Sequence, residues 1–151
     1  MSVARLRRRV DFPGGPACVL SVGSAGSGTP PVLLLHGFAG DRLTWQFVLP
    51  ALAADRPVLA VDLPGHGEST LDVGDGRVAG FAPWLERLLD ALGVPCVHVV
   101  GHSMGGYVAL CLAQRAPHRV ASLSLVACAG LAPGADRALL RRLPRMESAE
   151  T

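Results

Sequence analysis

Gly101-His102-Ser103-Met104-Gly105 follows directly on the apolar run Val97-His98-Val99-Val100. A serine hydroxyl at the end of a buried strand can attack a carbonyl carbon and form an acyl-enzyme. To present that hydroxyl, the chain must turn sharply from strand into helix and lift it above the carboxyl edge of a sheet. Side chains at positions 101 and 105 would collide in such a turn, and both positions are glycine, with Gly106 next. A helix opening at Met104 aims its first N–H groups and its positive dipole end at whatever the serine attacks. A tetrahedral oxyanion needs about two donors. The N–H of Met104 is expected to be one. The second is the N–H of Phe38, in His36-Gly37-Phe38 after the apolar run Val32-Leu33-Leu34-Leu35. His36 is expected to brace this loop through hydrogen bonds.

An unassisted serine is a poor nucleophile at neutral pH and needs a histidine base held by a carboxylate. Histidine occurs at positions 36, 66, 98, 102 and 118. A helix over residues 104–115 runs about 18 Å away from the turn, which carries His118 toward the opposite sheet edge. The His102 side chain is expected to turn away from the hydroxyl, and His98 lies on the strand below. His36 is left as the nearest candidate for a makeshift base. Asp62, His66 and Ser69 sit together in Asp62-Leu63-Pro64-Gly65-His66-Gly67-Glu68-Ser69. They occupy one short turn and cannot converge on Ser103, so their expected role is structural.

The elements that position these residues read as an alternation. A hairpin over residues 7–12 and 18–22 precedes a Gly/Ser/Pro loop at 23–31. Residues 32–35 and 58–61 are short continuous apolar runs, as expected for strands buried on both faces. Residues 45–54 are helical in character, with Pro50 opening the second part. In residues 83–92, Trp84, Leu85, Leu88, Leu89 and Leu92 share one helical face, with Pro83 in the first turn and Gly93 at the stop. Strands at 97–100 and 121–127 flank the helix at 104–115. This order predicts an α/β fold, a three-layer α/β/α sandwich around a mostly parallel sheet. Residues 134–151 are charged and partly helical.

Composition narrows the function classes. The 151 residues fit one domain, half are hydrophobic and 17% are charged, and 18 glycines and 12 prolines punctuate the loops. A formal charge of +2 gives no case for nucleic acid. The basic run Arg5, Arg7, Arg8 and Arg9 reads as a solvated edge strand. Cys18, Cys96, Cys111 and Cys128 have no metal-ligand spacing, so zinc is not expected, and the serine chemistry needs neither a metal nor an organic cofactor. Reduced thiols and the lack of a secretory h-region lead us to expect a cytoplasmic protein. The uncharged stretch 97–114 is broken by His98, His102, Ser103 and glycines, a poor membrane span.

The three loops, in this order, resemble the α/β-hydrolase superfamily over residues 30–132. DRLTWQFVLPALAADRPVLAVDLPGHGESTLDVGDG at 41–76 and RVASLSLVACAGLAP at 119–133 resemble the hydrolase-like domain of the acetyltransferase component of acetoin dehydrogenase. No lipoyl domain precedes the motif, so lipoyl acetyl transfer is not expected. The resemblance implies a serine hydrolase acting on an ester, thioester or related acyl substrate, since members with aspartate in place of Ser103 displace halide or open epoxides. It also implies the chain order serine, acid, histidine. Only His118 follows Ser103, and Asp136, Glu147 and Glu150 all come after it, so this order is not met. The expectation is a fold truncated after about strand six, with a partial core over 1–133 and the start of a lid or a disordered tail over 134–151. Activity is then weak or absent. The alternative is a non-catalytic remnant that binds an acyl ligand or a partner. The uncovered last strand is expected to promote self-association.

Overall fold

A computed structural model describes residues 5–23 and 28–131. β1 (Arg5–Val10) and β2 (Ala17–Val22) form an antiparallel hairpin. β3 (Val32–Leu35) and β4 (Val58–Val61) are buried at every residue, as their unbroken apolar sequence requires. β5 (Val97–His102) and β6 (Val120–Val126) complete a six-stranded sheet in the order β1-β2-β4-β3-β5-β6. β1 with β2 and β2 with β4 are antiparallel, and the remaining neighbours are parallel.

α2 (Phe81–Ala91) and α3 (Met104–Arg115) pack on one face of the sheet over Leu33, Leu35, Val61 and Val99. Leu85, Leu88 and Leu89 of α2 are fully buried there, each worth about 1.5–3 kcal/mol relative to exposure. α1 (Leu49–Leu52) covers Val32, Leu34, Val58 and Ala60 on the other face. The result is the expected three-layer arrangement.

Several elements depart from the sequence reading. β1 lies two residues earlier than the expected 7–12, α2 opens at Phe81 rather than Pro83, and β5 runs on to His102 rather than ending at Val100. The helix expected over 45–54 is broken into a 3-10 turn at Arg42–Trp45 and the single turn of α1. Pro50 lies at the start of α1, and a helix running through it would lose a hydrogen bond and clash with the preceding turn. β6 begins and ends one residue earlier than expected, because Ala127 leaves the strand at φ 44°. The segment 134–151, assigned above to a lid or tail, lies outside the described residues.

Candidate active site

The order of connections places the site. From β3 the chain passes through α1 to β4 on one side, then through α2 to β5 on the other. The loops after β3 and β5 therefore part in opposite directions and leave a crevice at the carboxyl ends of two adjacent strands. Leu35 pairs with Gly101, so the residues just beyond them, His36-Gly37 and His102-Ser103, stand side by side. A Cβ built on Gly37 would lie 3.3 Å from Ser103 Cβ and 2.8 Å from His102 Nδ1.

Ser103 has φ 51° and ψ −114° and immediately precedes α3. A non-glycine residue in this conformation costs on the order of 1–3 kcal/mol. The turn around it is over-determined. The Ser103 N–H donates to the Val126 carbonyl at 3.0 Å, and its own carbonyl accepts from Gly106 at 3.0 Å, Tyr107 at 3.2 Å and Ala129 at 3.0 Å. Backbone contact explains the flanking glycines. A Cβ on Gly101 would sit 2.5 Å from the Gly105 carbonyl oxygen, and one on Gly105 would sit 2.4 Å from that of Leu35. Met104 is the first residue of α3, whose leading N–H groups have no partner inside the helix. The Phe38 N–H makes no backbone hydrogen bond among the described residues, and the Phe38 ring is 81% exposed beside the crevice.

The histidines divide by position. His36 is fully buried. Its Nδ1 lies 2.7 Å from the Gly37 carbonyl, which can only accept, and its Nε2 accepts from the Leu63 N–H at 3.0 Å. Both nitrogens are committed in the neutral ring, and burial lowers the His36 pKa. His36 thus ties the loop after β3 to the loop after β4 and has no lone pair left for a proton from Ser103. The His66 ring stands 5.0 Å from that of His36 and edge-on to Phe38 at 5.8 Å, with Nδ1 donating to the Pro64 carbonyl at 3.0 Å. His102 Nδ1 is buried against Gly37 without a hydrogen-bond partner. His98, near the start of β5 and five residues before Ser103, pairs its Nδ1 with Ser122 Oγ of β6 at 2.8 Å. His118 lies in a 3-10 turn (Pro117–Arg119) at the far end of α3.

The sequence reading gave Asp62, His66 and Ser69 a structural role but did not single out Arg42, the partner on which that role rests. Asp62 is fully buried, and its Oδ1 accepts from the Arg42 N–H at 2.7 Å while its Oδ2 accepts from Arg42 Nη1 at 2.5 Å and from the Glu68 N–H at 2.9 Å. Arg42 Nη2 continues to Glu68 Oε1 at 2.7 Å. This hydrogen bond to Arg42 holds the Glu68 carboxyl below its ordinary pKa. Ser69 Oγ accepts from the Cys18 N–H at 2.9 Å. Asp62 and Ser69 are therefore structural anchors. The available signal was Asp62 itself: a carboxylate directly after a fully buried strand needs a buried cation.

Among the described residues no group of three or more histidine, cysteine, aspartate or glutamate side chains gathers as metal ligands. No helix there is long and apolar enough to cross a membrane.

Comparison with known proteins gives the same architecture. A family model described as the alpha/beta hydrolase fold matches residues 30–148. The chain is 52% identical over 106 residues to the dihydrolipoyllysine-residue acetyltransferase component of an acetoin cleaving system from Pseudomonas putida, covering 70% of this chain and 29% of that protein. It is 34% identical over 121 residues to a monoacylglycerol lipase of Mus musculus, covering 78% of this chain and 36% of that protein. It superposes on a membrane phospholipase A with a TM-score of 0.77 at 33% identity, covering 87% of this chain and 41% of that one. An epoxide hydrolase superposes with a TM-score of 0.78 at 29% identity, covering 88% and 46%. The chain thus spans less than half the length of each of these proteins. With a sheet, a crevice and a strand-to-helix turn of this order, and a family match over most of its length, the chain belongs to the alpha/beta hydrolase fold family.

Proposed function

We propose that the chain carries the nucleophile half of a serine acyl hydrolase acting on an ester, thioester or related acyl substrate. Ser103 is the nucleophile, and the N–H groups of Met104 and Phe38 receive the oxyanion. The observation that carries this reading is the backbone of Ser103, held at φ 51° by four hydrogen bonds at the carboxyl edge of the sheet. Strain of this kind persists only where the surroundings enforce it, and here it delivers a hydroxyl to a crevice beside unpaired N–H groups. Gly101, Gly105 and Gly106 make the turn, while Gly37, His36 and His102 support the facing loop.

In the proposed step, Ser103 Oγ attacks the acyl carbon, the carbonyl oxygen takes negative charge between the two N–H groups, and the leaving group departs to give an acyl-serine. Water then releases the acid. With no side-chain base placed beside it among the described residues, the Ser103 proton passes to solvent water, and the leaving group takes up a proton from solvent. His36 is committed at both nitrogens, and no acid–histidine pair follows Ser103 in the required order. The isolated chain is therefore expected to be a weak catalyst. An oxyanion hole and binding alone retain about 10³–10⁴-fold over water.

The test is hydrolysis of p-nitrophenyl acetate and butyrate by the chain beside Ser103→Ala, with mass spectrometry of the intact protein. The expected result is slow, serine-dependent turnover with an acyl adduct on the Ser103 peptide. Equal rates and no adduct would sink the proposal. The committed state of His36 favours one second reading, a module that binds acyl ligands without turnover. It predicts butyrate-ester binding with no adduct.

A further inference from the structure

A second cavity lies at the opposite edge of the sheet from Ser103. Its walls come from the starts of β3 and β4, the end of β2 and the segment after α2, all at the amino edge of the parallel strands. Its volume is about 630 Å³, within the range of small-molecule sites. Leu6, Ser21 and Leu59 form one cross-strand row along it, through the pairs Leu6–Ser21 and Ser21–Leu59. Leu92, Val94 and Pro95 face that row.

Charge distinguishes this cavity from a bare apolar groove. Among the described residues Arg8 is the one charged residue lining it. Its neighbours are neutralised: Arg7 pairs with Glu68, and Arg9 with Asp11 at 3.2 Å. Arg8 has no ion pair among the described residues. It lies on the same strand face as Leu6, which is 58% exposed at the rim. The Ser21 hydroxyl, in the cavity wall, is buried without a hydrogen-bond partner. An unpaired guanidinium at the mouth of an apolar cavity suits a single negative charge joined to an apolar body. A planar carboxylate matches its two-pronged donor geometry, whereas a dianionic phosphate would leave charge uncompensated against the apolar walls.

We propose that this cavity binds an amphipathic monocarboxylate of medium chain length, with its carboxylate on Arg8 and its hydrocarbon against Leu6, Leu59, Leu92 and Val94. The site is separate from Ser103 and does not depend on the hydrolase reading. Cys96, a half-buried free thiol in the cavity wall, reports its occupancy. Cys128, beside Gly106 at the elbow, reports the other sheet edge.

The experiment follows iodoacetamide alkylation of Cys96 and Cys128 by peptide mass spectrometry in the Ser103→Ala chain, with hexanoate, octanoate, decanoate or octan-1-ol. Octanoate is expected to slow alkylation of Cys96 severalfold and leave Cys128 unchanged. The affinity read from this protection should rise up to roughly fourfold per added methylene until the cavity is full. Arg8→Gln, an exposed substitution, should weaken octanoate by about fivefold and leave octan-1-ol unchanged. Three results would overturn the proposal: no protection of Cys96, equal protection by acid and alcohol, or protection confined to Cys128. Full octanoate affinity in a folded Arg8→Gln chain would do the same.

Discussion

The turn at Ser103 shows how few residues fix a strained backbone and how little each tolerates change. Gly101 and Gly105 leave no room for a methyl group, because the atoms in the way are backbone carbonyls that cannot swing aside. Gly101→Ala and Gly105→Ala are each expected to cost about 1–3 kcal/mol or more, read as a lower urea midpoint. Both should abolish acylation of Ser103 even where the fold survives. His36 makes a pH-dependent contribution. Its folded-state pKa is depressed by burial below the ordinary 6.5, so the unfolded chain binds a proton more readily. Its contribution is complete above pH 6.5 and declines as the pH falls below that value toward the folded pKa. Urea unfolding of the wild type above and below this pH should show the decline. His36→Gln should show a shallower dependence, and an unchanged slope would remove His36 as its origin.

At the scale of elements, the site is an agreement between neighbouring loops. The loop after β4 carries no reacting group in the proposal, yet it holds the 3-10 turn at Arg42–Trp45 against the sheet through Asp62. Removing one partner leaves a buried charge exposed to a low dielectric, whereas the intact pair adds little net stability. Arg42→Ala is therefore expected to destabilise the chain by about 3–5 kcal/mol. Replacing Arg42 and Asp62 together with apolar residues should recover much of that loss. A double-mutant cycle on urea unfolding checks this, and additive losses would show that the pair is not coupled.

At the scale of the whole molecule, the sheet has a protected interior and two edges. β1 covers one edge with arginines. β6 pairs only with β5 among the described residues, and beyond the buried Val120 its residues are exposed or only partly buried. A strand with free N–H and C=O groups on one side is a template for another strand. We expect concentration-dependent self-association of the isolated chain at micromolar concentration, measured by sedimentation velocity. Ser124→Lys, which adds a charge at an exposed position of β6, should shift the chain toward monomer. A monomer at every concentration in the wild type would mean that β6 is shielded.

Much of this protein is legible without coordinates because its strongest signals are local. The runs 32–35 and 58–61 are apolar at every position and can only be strands covered on both faces. The span of α3, Met104–Arg115, follows from glycines at the start and a proline after the end. The turn at Ser103 follows from its two glycines, a steric requirement carried by five residues. The break in the helix after Arg42 was less legible, since the pull of Pro50 competes with the apolar spacing around it. Other features exist only once distant segments meet. The bond between Asp62 and Arg42 joins positions 20 residues apart, and the two hydrogen bonds that commit His36 require the loop after β4 to arrive beside the loop after β3. Likewise, only the fold shows that Arg7 meets Glu68, 61 residues away, while Arg8 has no ion pair among the described residues. The sequence by itself determined the strands, the two long helices and the serine turn, because spacing and steric exclusion act over a few residues. Only the tertiary structure decided which charged and polar groups are spoken for, because hydrogen bonds and ion pairs are settled by neighbours in space.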